Sequence, residues 1–249
     1  MTLQKFVFKP GVDRENTRYT SEGGWYECDK IRFRSGMPEK IGGWNRISTK
    51  SFLGVCRSLF SWVTLGSQKL LGVGTNLKFY IEQGGTYYDI TPIRATVSLT
   101  DPFTTVSGST TVTVTDAAGG YINNDFVTFS GASAVGGLTL NGEFQITYLT
   151  GNTYTITASE AASSSASGGG SVSAVYQINT GPSVAEVLVG WGAGGWSLGT
   201  WDSGVTSTDA LRLWTQSNFG EDLIFAARGG SLFFWDATDA LTTRGVLLS

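Results

Sequence analysis

Short stretches in which apolar and polar residues alternate, set apart by glycine, constrain the fold of this chain more than any other feature. Thr110-Thr111-Val112-Thr113-Val114, Asp125–Phe129, Gly142–Tyr148 and Thr153–Thr157 all alternate with period two, the pattern of a strand with one buried face. Val135-Gly136-Gly137 and Leu140-Asn141-Gly142 supply turns between them. Long windows of helical periodicity are missing, and only Thr17 to Lys30 has room for a short helical turn. The segment 94–180 is rich in Thr, Ser, Val, Gly and Ala and nearly free of Lys and Arg beyond Arg94. It reads as an inserted β domain, a small sandwich or partly closed barrel, with Ala161 to Ser171 as a flexible loop.

On either side of that segment the grammar changes and then returns. Gly54–Val63, Lys69–Gly74, Leu77–Gln83 and Thr86–Ile90 read as four strands, joined by turns at Gly66-Ser67, Thr75-Asn76 and Gly84-Gly85. Leu211–Trp214, Asp222–Ala227 and Ser231–Asp236 repeat the unit, with an apolar strand, a small-residue turn and a Leu-x-aromatic-aromatic strand in both copies. Each copy resembles one blade of a β-propeller. One such unit leaves its sheet faces uncovered, so neighbours must stack on it. The expected fold class is therefore all-β, with partial β-propeller-like blades and an inserted small β-sandwich or barrel. Its parts are an amino-terminal arm and hairpin (1–50), a first blade (51–93), the insert (94–180) and a second blade segment (181–249).

The amino-terminal part carries the charge. Ten of the 17 Lys and Arg lie in the first 50 residues, while the net charge of the whole chain is −3. The chain as a whole is thus no general binder of nucleic acid. Ile31-Arg32-Phe33-Arg34, a turn at Ser35-Gly36 and a return to Ile41 read as a hairpin with an apolar and a cationic face. Cys28 and Cys56 read as small buried hydrophobes, a bridge between them being the alternative. No apolar run is long enough to cross a bilayer and no basic-then-apolar segment opens the chain, which argues against membrane insertion and classical secretion.

Residues for chemistry are sparse. The chain has no histidine, which removes the commonest general base and zinc ligand. No glycine-rich stretch has the form of a phosphate-binding loop. Glu221 with Asp222, or Asp202 with Asp209, are the carboxylate pairs to weigh for glycoside hydrolysis, but neighbours on a strand point to opposite faces. Asp101, Asp116 and Asp125 stand in loops where calcium or simple turn formation would suit them. Three tryptophans, Trp191, Trp196 and Trp201, punctuate a glycine-rich loop, as anchors or as a platform for sugar rings. The reading is of a non-enzymatic chain with no catalytic, cofactor or metal site.

The run Phe8-Lys9-Pro10-Gly11 and then Asp29-Lys30-Ile31-Arg32-Phe33-Arg34-Ser35-Gly36-Met37-Pro38-Glu39-Lys40-Ile41-Gly42-Gly43-Trp44 resembles the amino-terminal signature of the tail nozzle, or tail tubular B-like, proteins of short-tailed bacteriophages. Leu211-Arg212-Leu213-Trp214, with Asn218-Phe219-Gly220-Glu221-Asp222-Leu223 and Gly230-Ser231-Leu232-Phe233-Phe234-Trp235-Asp236, is a second stretch similar to that family. The pattern from Asp125 through Asn141-Gly142-Glu143-Phe144 to Tyr154-Thr155-Ile156 resembles an insert of phage virion proteins. The resemblance implies a structural virion protein of the tail, assembled in the host cytoplasm as a homo-oligomeric ring, a hexamer in that family. That ring would dock on the tail adaptor below the portal, contact other tail proteins and pass genome DNA through its lumen without binding it specifically. It further implies an adaptor or subunit interface at Lys30, Arg32, Phe33, Arg34 and Lys40, with Trp25 and Trp44 as packing anchors. The alternative is a host-surface or carbohydrate-binding virion module using Trp191, Trp196 and Trp201. Nozzle proteins are usually longer, with many blades, so propeller closure and any host-facing role stay open.

Overall fold

The computed structural model describes residues 9–15, 17–20, 23–43, 45–46, 48–117, 120–181 and 213–248. Among them there is no helix, and 19 strands form five antiparallel sheets, none closed into a barrel. The all-β expectation holds. The chain divides into two compact units, Met1–Thr49 and Lys50–Ser249. In the first, β1 (Ile31–Arg34) and β2 (Met37–Lys40) form a hairpin; Thr17 to Thr20 makes a single hydrogen-bonded turn.

The second unit opens with a four-stranded meander of β3 (Cys56–Val63), β4 (Lys69–Thr75), β5 (Phe79–Gln83) and β6 (Thr86–Asp89). The chain then runs through β7 (Ile93–Thr100), β8 (Phe103–Thr105), β9 (Thr111–Thr115), β10 (Phe126–Ser130), β11 (Gly142–Gln145), β12 (Thr147–Thr150), β13 (Thr153–Thr157), β14 (Ala166–Gly168) and β15 (Ser171–Gln177). These make a four-stranded sheet in the order β11-β10-β15-β7 and a five-stranded sheet in the order β12-β13-β9-β8-β14. Val112, Val114, Tyr154 and Ile156 of one sheet pack with Val127, Phe129, Val172 and Tyr176 of the other in a single apolar cluster. The arrangement is a sandwich rather than a barrel.

Two expectations about this region need correcting. Gly142–Tyr148, read as one strand, is two strands in different sheets. The chain turns the corner at Ile146, which is buried and exchanges backbone hydrogen bonds with Asn124 and Asp125. The alternation stays in phase across the corner, so the sequence does not betray it. Ala161 to Ser171, read as a flexible loop, contains β14, which pairs with β8, and the buried Ala162. Its small residues reflect close packing: a Cβ on Gly169, whose φ is +125°, would stand 2.6 Å from the Phe103 ring. Composition alone does not separate such a tightly packed segment from a linker.

A second meander follows, β16 (Trp214–Phe219), β17 (Asp222–Ala227), β18 (Leu232–Trp235) and β19 (Val246–Leu247). It repeats the connectivity of the first, and the two share one core. The Phe79 ring lies 4.3 Å from Phe225 and 4.8 Å from Trp214, centroid to centroid. The Trp214 indole donates to the Thr75 carbonyl at 2.6 Å and the Trp62 indole to that of Glu221 at 2.9 Å. Gln216 donates to the Ser58 hydroxyl. The glycines of β4 are what allow this approach: a Cβ on Gly74 would sit 2.4 Å from the Trp214 ring.

The faces that meet are not equivalent. Gly84-Gly85 and Gly220-Glu221 are two-residue turns, so Gln83–Thr86 and Phe219–Asp222 are hydrogen-bonded pairs. Counting back along each register, the inward residues Phe60 and Trp62 of β3 fall at hydrogen-bonded pairs with β4. The inward residues Trp214 and Gln216 of β16 fall at non-hydrogen-bonded pairs with β17. For L-residues in a given strand order, pair type and face are linked by chirality. The first meander therefore offers one face of the repeat and the second offers the opposite face, as in successive blades of a propeller.

Neither cysteine is a fully buried hydrophobe: Cys56 is exposed at the start of β3, Cys28 is partly buried, and both thiols are free. Burial nevertheless pushes the Cys56 thiol pKa up. Replacing Gly74 with alanine is expected to force Trp214 off β4 and destabilise the second unit by about 1–3 kcal/mol, measured as a shift in a urea unfolding midpoint. Unchanged stability would show that the two meanders do not depend on that contact.

Candidate functional site

The amino-terminal hairpin presents the residues that the sequence singled out. Ser35 and Gly36 take φ of +50° and +79°, the backbone of a tight two-residue turn, and glycine tolerates that conformation best. The register pairs Ile31 with Lys40, Arg32 with Glu39, Phe33 with Pro38 and Arg34 with Met37. One face thus carries Ile31, Phe33, Pro38 and Lys40, and the other Arg32, Arg34, Glu39 and Met37. The expected split into an apolar and a cationic face is only partial. Lys40 shares the face of Ile31, and Arg32 donates to Glu39 at 3.0 Å, so its charge is partly answered. With both partners exposed, that ion pair adds little stability.

Around this hairpin the arm folds back. Trp25 lies 6.1 Å from Phe33 between ring centroids and makes a parallel bridge with Val12. It lines, with Ile31, Pro38, Lys30 and Lys40, an open cleft of about 440 Å³. Lys30, at φ +56°, holds Ile41 through a backbone hydrogen bond and stands exposed beside Asp29. Arg14 and Arg18 sit over the Tyr26 ring, at 5.6 and 4.9 Å from its centroid. Arg34, Lys30 and Lys40 are exposed, and Phe33 is half-buried against Trp25. Trp44, and the loop of Trp191, Trp196 and Trp201, lie outside the described residues, as do Asp202 and Asp209.

The carboxylates weighed for chemistry have structural partners. Glu221 accepts the Leu65 amide through its side chain, and Asp222 accepts that of Ala237. Asp101 accepts the Gly170 amide, and Asp116 accepts the Tyr176 hydroxyl at 2.6 Å. Tyr154 in turn hydrogen-bonds Tyr176 at 2.8 Å, and burial drives the pKa of both phenols upward. Asp125 is held by Arg94, Asn179 and the Ile122 amide. Burial outweighs these and raises its pKa. Among the described residues no cluster of three or more metal-ligating side chains exists.

Sequence reasoning missed a charged cluster at the heart of the second unit. The Lys78 ammonium, 3 % exposed, donates to Asp89 at 2.6 Å and to Glu143 at 2.5 Å. Arg244 reaches Asp89 at 2.6 Å and Glu143 at 3.9 Å. Gln177 donates to Glu143 and Thr91 to Asp89, while the Phe126 ring lies under the ammonium at 4.5 Å. No local motif marks these residues, which come from four distant parts of the chain. With each of these four charges paired, the cluster is a structural junction.

No protein-family model matches this sequence, and no curated protein does. Among solved structures, the phage phi92 endosialidase is similar with a TM-score of 0.31 and 14 % identity, over 85 % of this chain and 32 % of that one. The chain thus spans about a third of that protein's length, and a likeness at this score carries no argument.

Burial works to raise the Asp89 pKa, but Lys78 and Arg244 prevail and hold it below its ordinary value of 3.8. A carboxyl depressed in the folded state stabilises above its unfolded pKa, and that stability is lost as the pH falls through the folded value. Asp89→Asn is therefore expected to cost about 3 kcal/mol at neutral pH and to flatten the loss of stability below about pH 4. Unfolding curves across the acid range test both; an unchanged acid limb would remove Asp89 from the junction.

Proposed function

We propose that this chain is a structural protein of a short bacteriophage tail, one subunit of a ring-shaped nozzle that docks below the portal and its adaptor. The observation that supports this most is the amino-terminal signature. Its alternating residues form a hairpin closed by a two-residue turn, with Arg32 and Arg34 exposed on one face. Short exposed cations on a tight hairpin suit docking on an acidic protein surface, where charge steers encounter and sets register. Phe33 and Trp25 stiffen the hairpin from behind, and Lys30 and Lys40 flank it.

In this reading the ring retains the packaged genome and later conducts it. A net charge of −3 over the chain suits a conduit that lets DNA pass, because holding the phosphate backbone needs a basic surface. The chain works by geometry, without catalysis or cofactor, in the virion. Ten basic residues in the first 50 support a docking role for that end of the chain.

Cryo-electron microscopy of the chain with its portal–adaptor complex tests the reading directly, with a ring seated through the hairpin as the expected result. Arg34→Glu should weaken docking about tenfold at low salt. The charge-swapped pair Arg32→Glu with Glu39→Arg keeps the cross-strand ion pair while moving the cation, and should weaken docking with the hairpin intact. Docking indifferent to both changes would overturn the proposed contact.

A further inference from the structure

The contact between the two meanders joins opposite faces of one repeated unit, and that leaves an open face of each kind. On the second meander the open face carries Phe219, Leu232, Val246 and Leu248, which are 71, 44, 58 and 45 % exposed. Ile224 and Phe234 lie half-buried between them. On the first meander it carries Leu59 and Val63, 63 and 58 % exposed, beside Leu71. Contiguous apolar surface of this kind on a soluble protein marks an interaction site.

The internal contact shows what fits such a face. In it β16 lies across β3 and β4, so the first strands of one unit seat on the first strands of the previous one. The open face of the first meander is available at that same place. Phe52 covers its far half by packing on Tyr80 and Tyr87, at 6.1 and 5.0 Å between centroids. On the β3–β4 half Val73 is buried but Leu59 and Val63 stay exposed, and Phe219 stays exposed on the β16–β17 half of the other open face.

We propose that copies of this chain associate head to tail, the open β3–β4 face of one copy seating on the open β16–β17 face of the next. The occupant of each face is a second copy, because the surface that the internal contact requires opposite β16–β17 is the one that β3–β4 leaves free. An interface of this kind is heterologous, so it closes into a ring or continues as a filament, unlike a self-complementary dimer. The inference rests on the ring reading in its choice of occupant, and it goes beyond that reading in naming the two faces and their polarity.

Two double variants, each placed on exposed residues, test it: Leu59→Lys with Val63→Lys, and Ser217→Lys with Phe219→Lys. Sedimentation of the full chain should show assembly of the unaltered protein. Each variant alone should be monomeric, with self-affinity reduced on the order of a hundredfold. An equimolar mixture of the two should form dimers that grow no further, because one intact contact remains between unlike partners. A monomeric unaltered protein, or a variant pair that gains nothing on mixing, overturns the inference. Head-to-tail assembly that ignores a portal–adaptor complex upholds it and fails the proposed function. A ring on the adaptor that tolerates both variants does the reverse.

Discussion

The Lys78 ammonium is the point on which the second unit turns. It leaves the turn between β4 and β5 and meets a carboxylate from the first meander, Asp89, and one from the sandwich, Glu143. Arg244, from the segment before β19, closes the circuit. Taking a cation out of water costs several kcal/mol, and only a full set of well-placed partners offsets it. Every partner lies on a different part of the chain, so the network is satisfied in one arrangement of meander, sandwich and carboxy-terminal strand. A buried apolar side chain at the same place would tolerate sliding. The charge does not.

The same junction explains how a repeat survives interruption by the sandwich. The sandwich begins on β7 and ends on β15, and these strands pair, with Gln177 opposite Ile93 and the Ile178 amide on the Pro92 carbonyl. The chain therefore leaves the first meander and returns at nearly the same place. Closing so long a detour costs little beyond what a shorter loop costs, since the entropy grows only with the logarithm of length. Gly245 then hydrogen-bonds the Ile90 carbonyl, which ties the end of the second meander to the end of the first.

Strand existence was legible because burial of one face writes itself into period-two alternation. Thr153–Thr157 and Asp222–Ala227 stand where the pattern put them, and the repeated meander was visible in its turns. Three kinds of information were hidden. The corner at Ile146 preserves phase, so two strands read as one. The Ala161–Ser171 run looks like a linker because glycine and serine serve close packing as well as freedom. The junction at Lys78 is assembled from residues whose only common property is that they meet. At the hairpin, alternation placed Arg32 and Arg34 together, but the register that brings Glu39 opposite Arg32 and Lys40 opposite Ile31 depends on turn length. A two-residue turn fixes that register; with one residue more, the pairs would differ.

Turn length also decides the polarity of the larger assembly. Both meanders use two-residue turns, at Gly84-Gly85 and Gly220-Glu221, but at different joints: between the third and fourth strands in the first, between the first and second in the second. Each turn anchors which residues of its strands sit at hydrogen-bonded pairs, and chirality converts that choice into a face. Had the inward residues of β16 fallen at hydrogen-bonded pairs, like would face like, and the two units would form a closed, self-complementary sandwich with equivalent outer faces. Their opposite phase makes the pair directional, with a leading face and a trailing face that differ. Directionality of that sort is what a stack of repeats needs in order to extend, whether the next unit belongs to the same chain or to another copy.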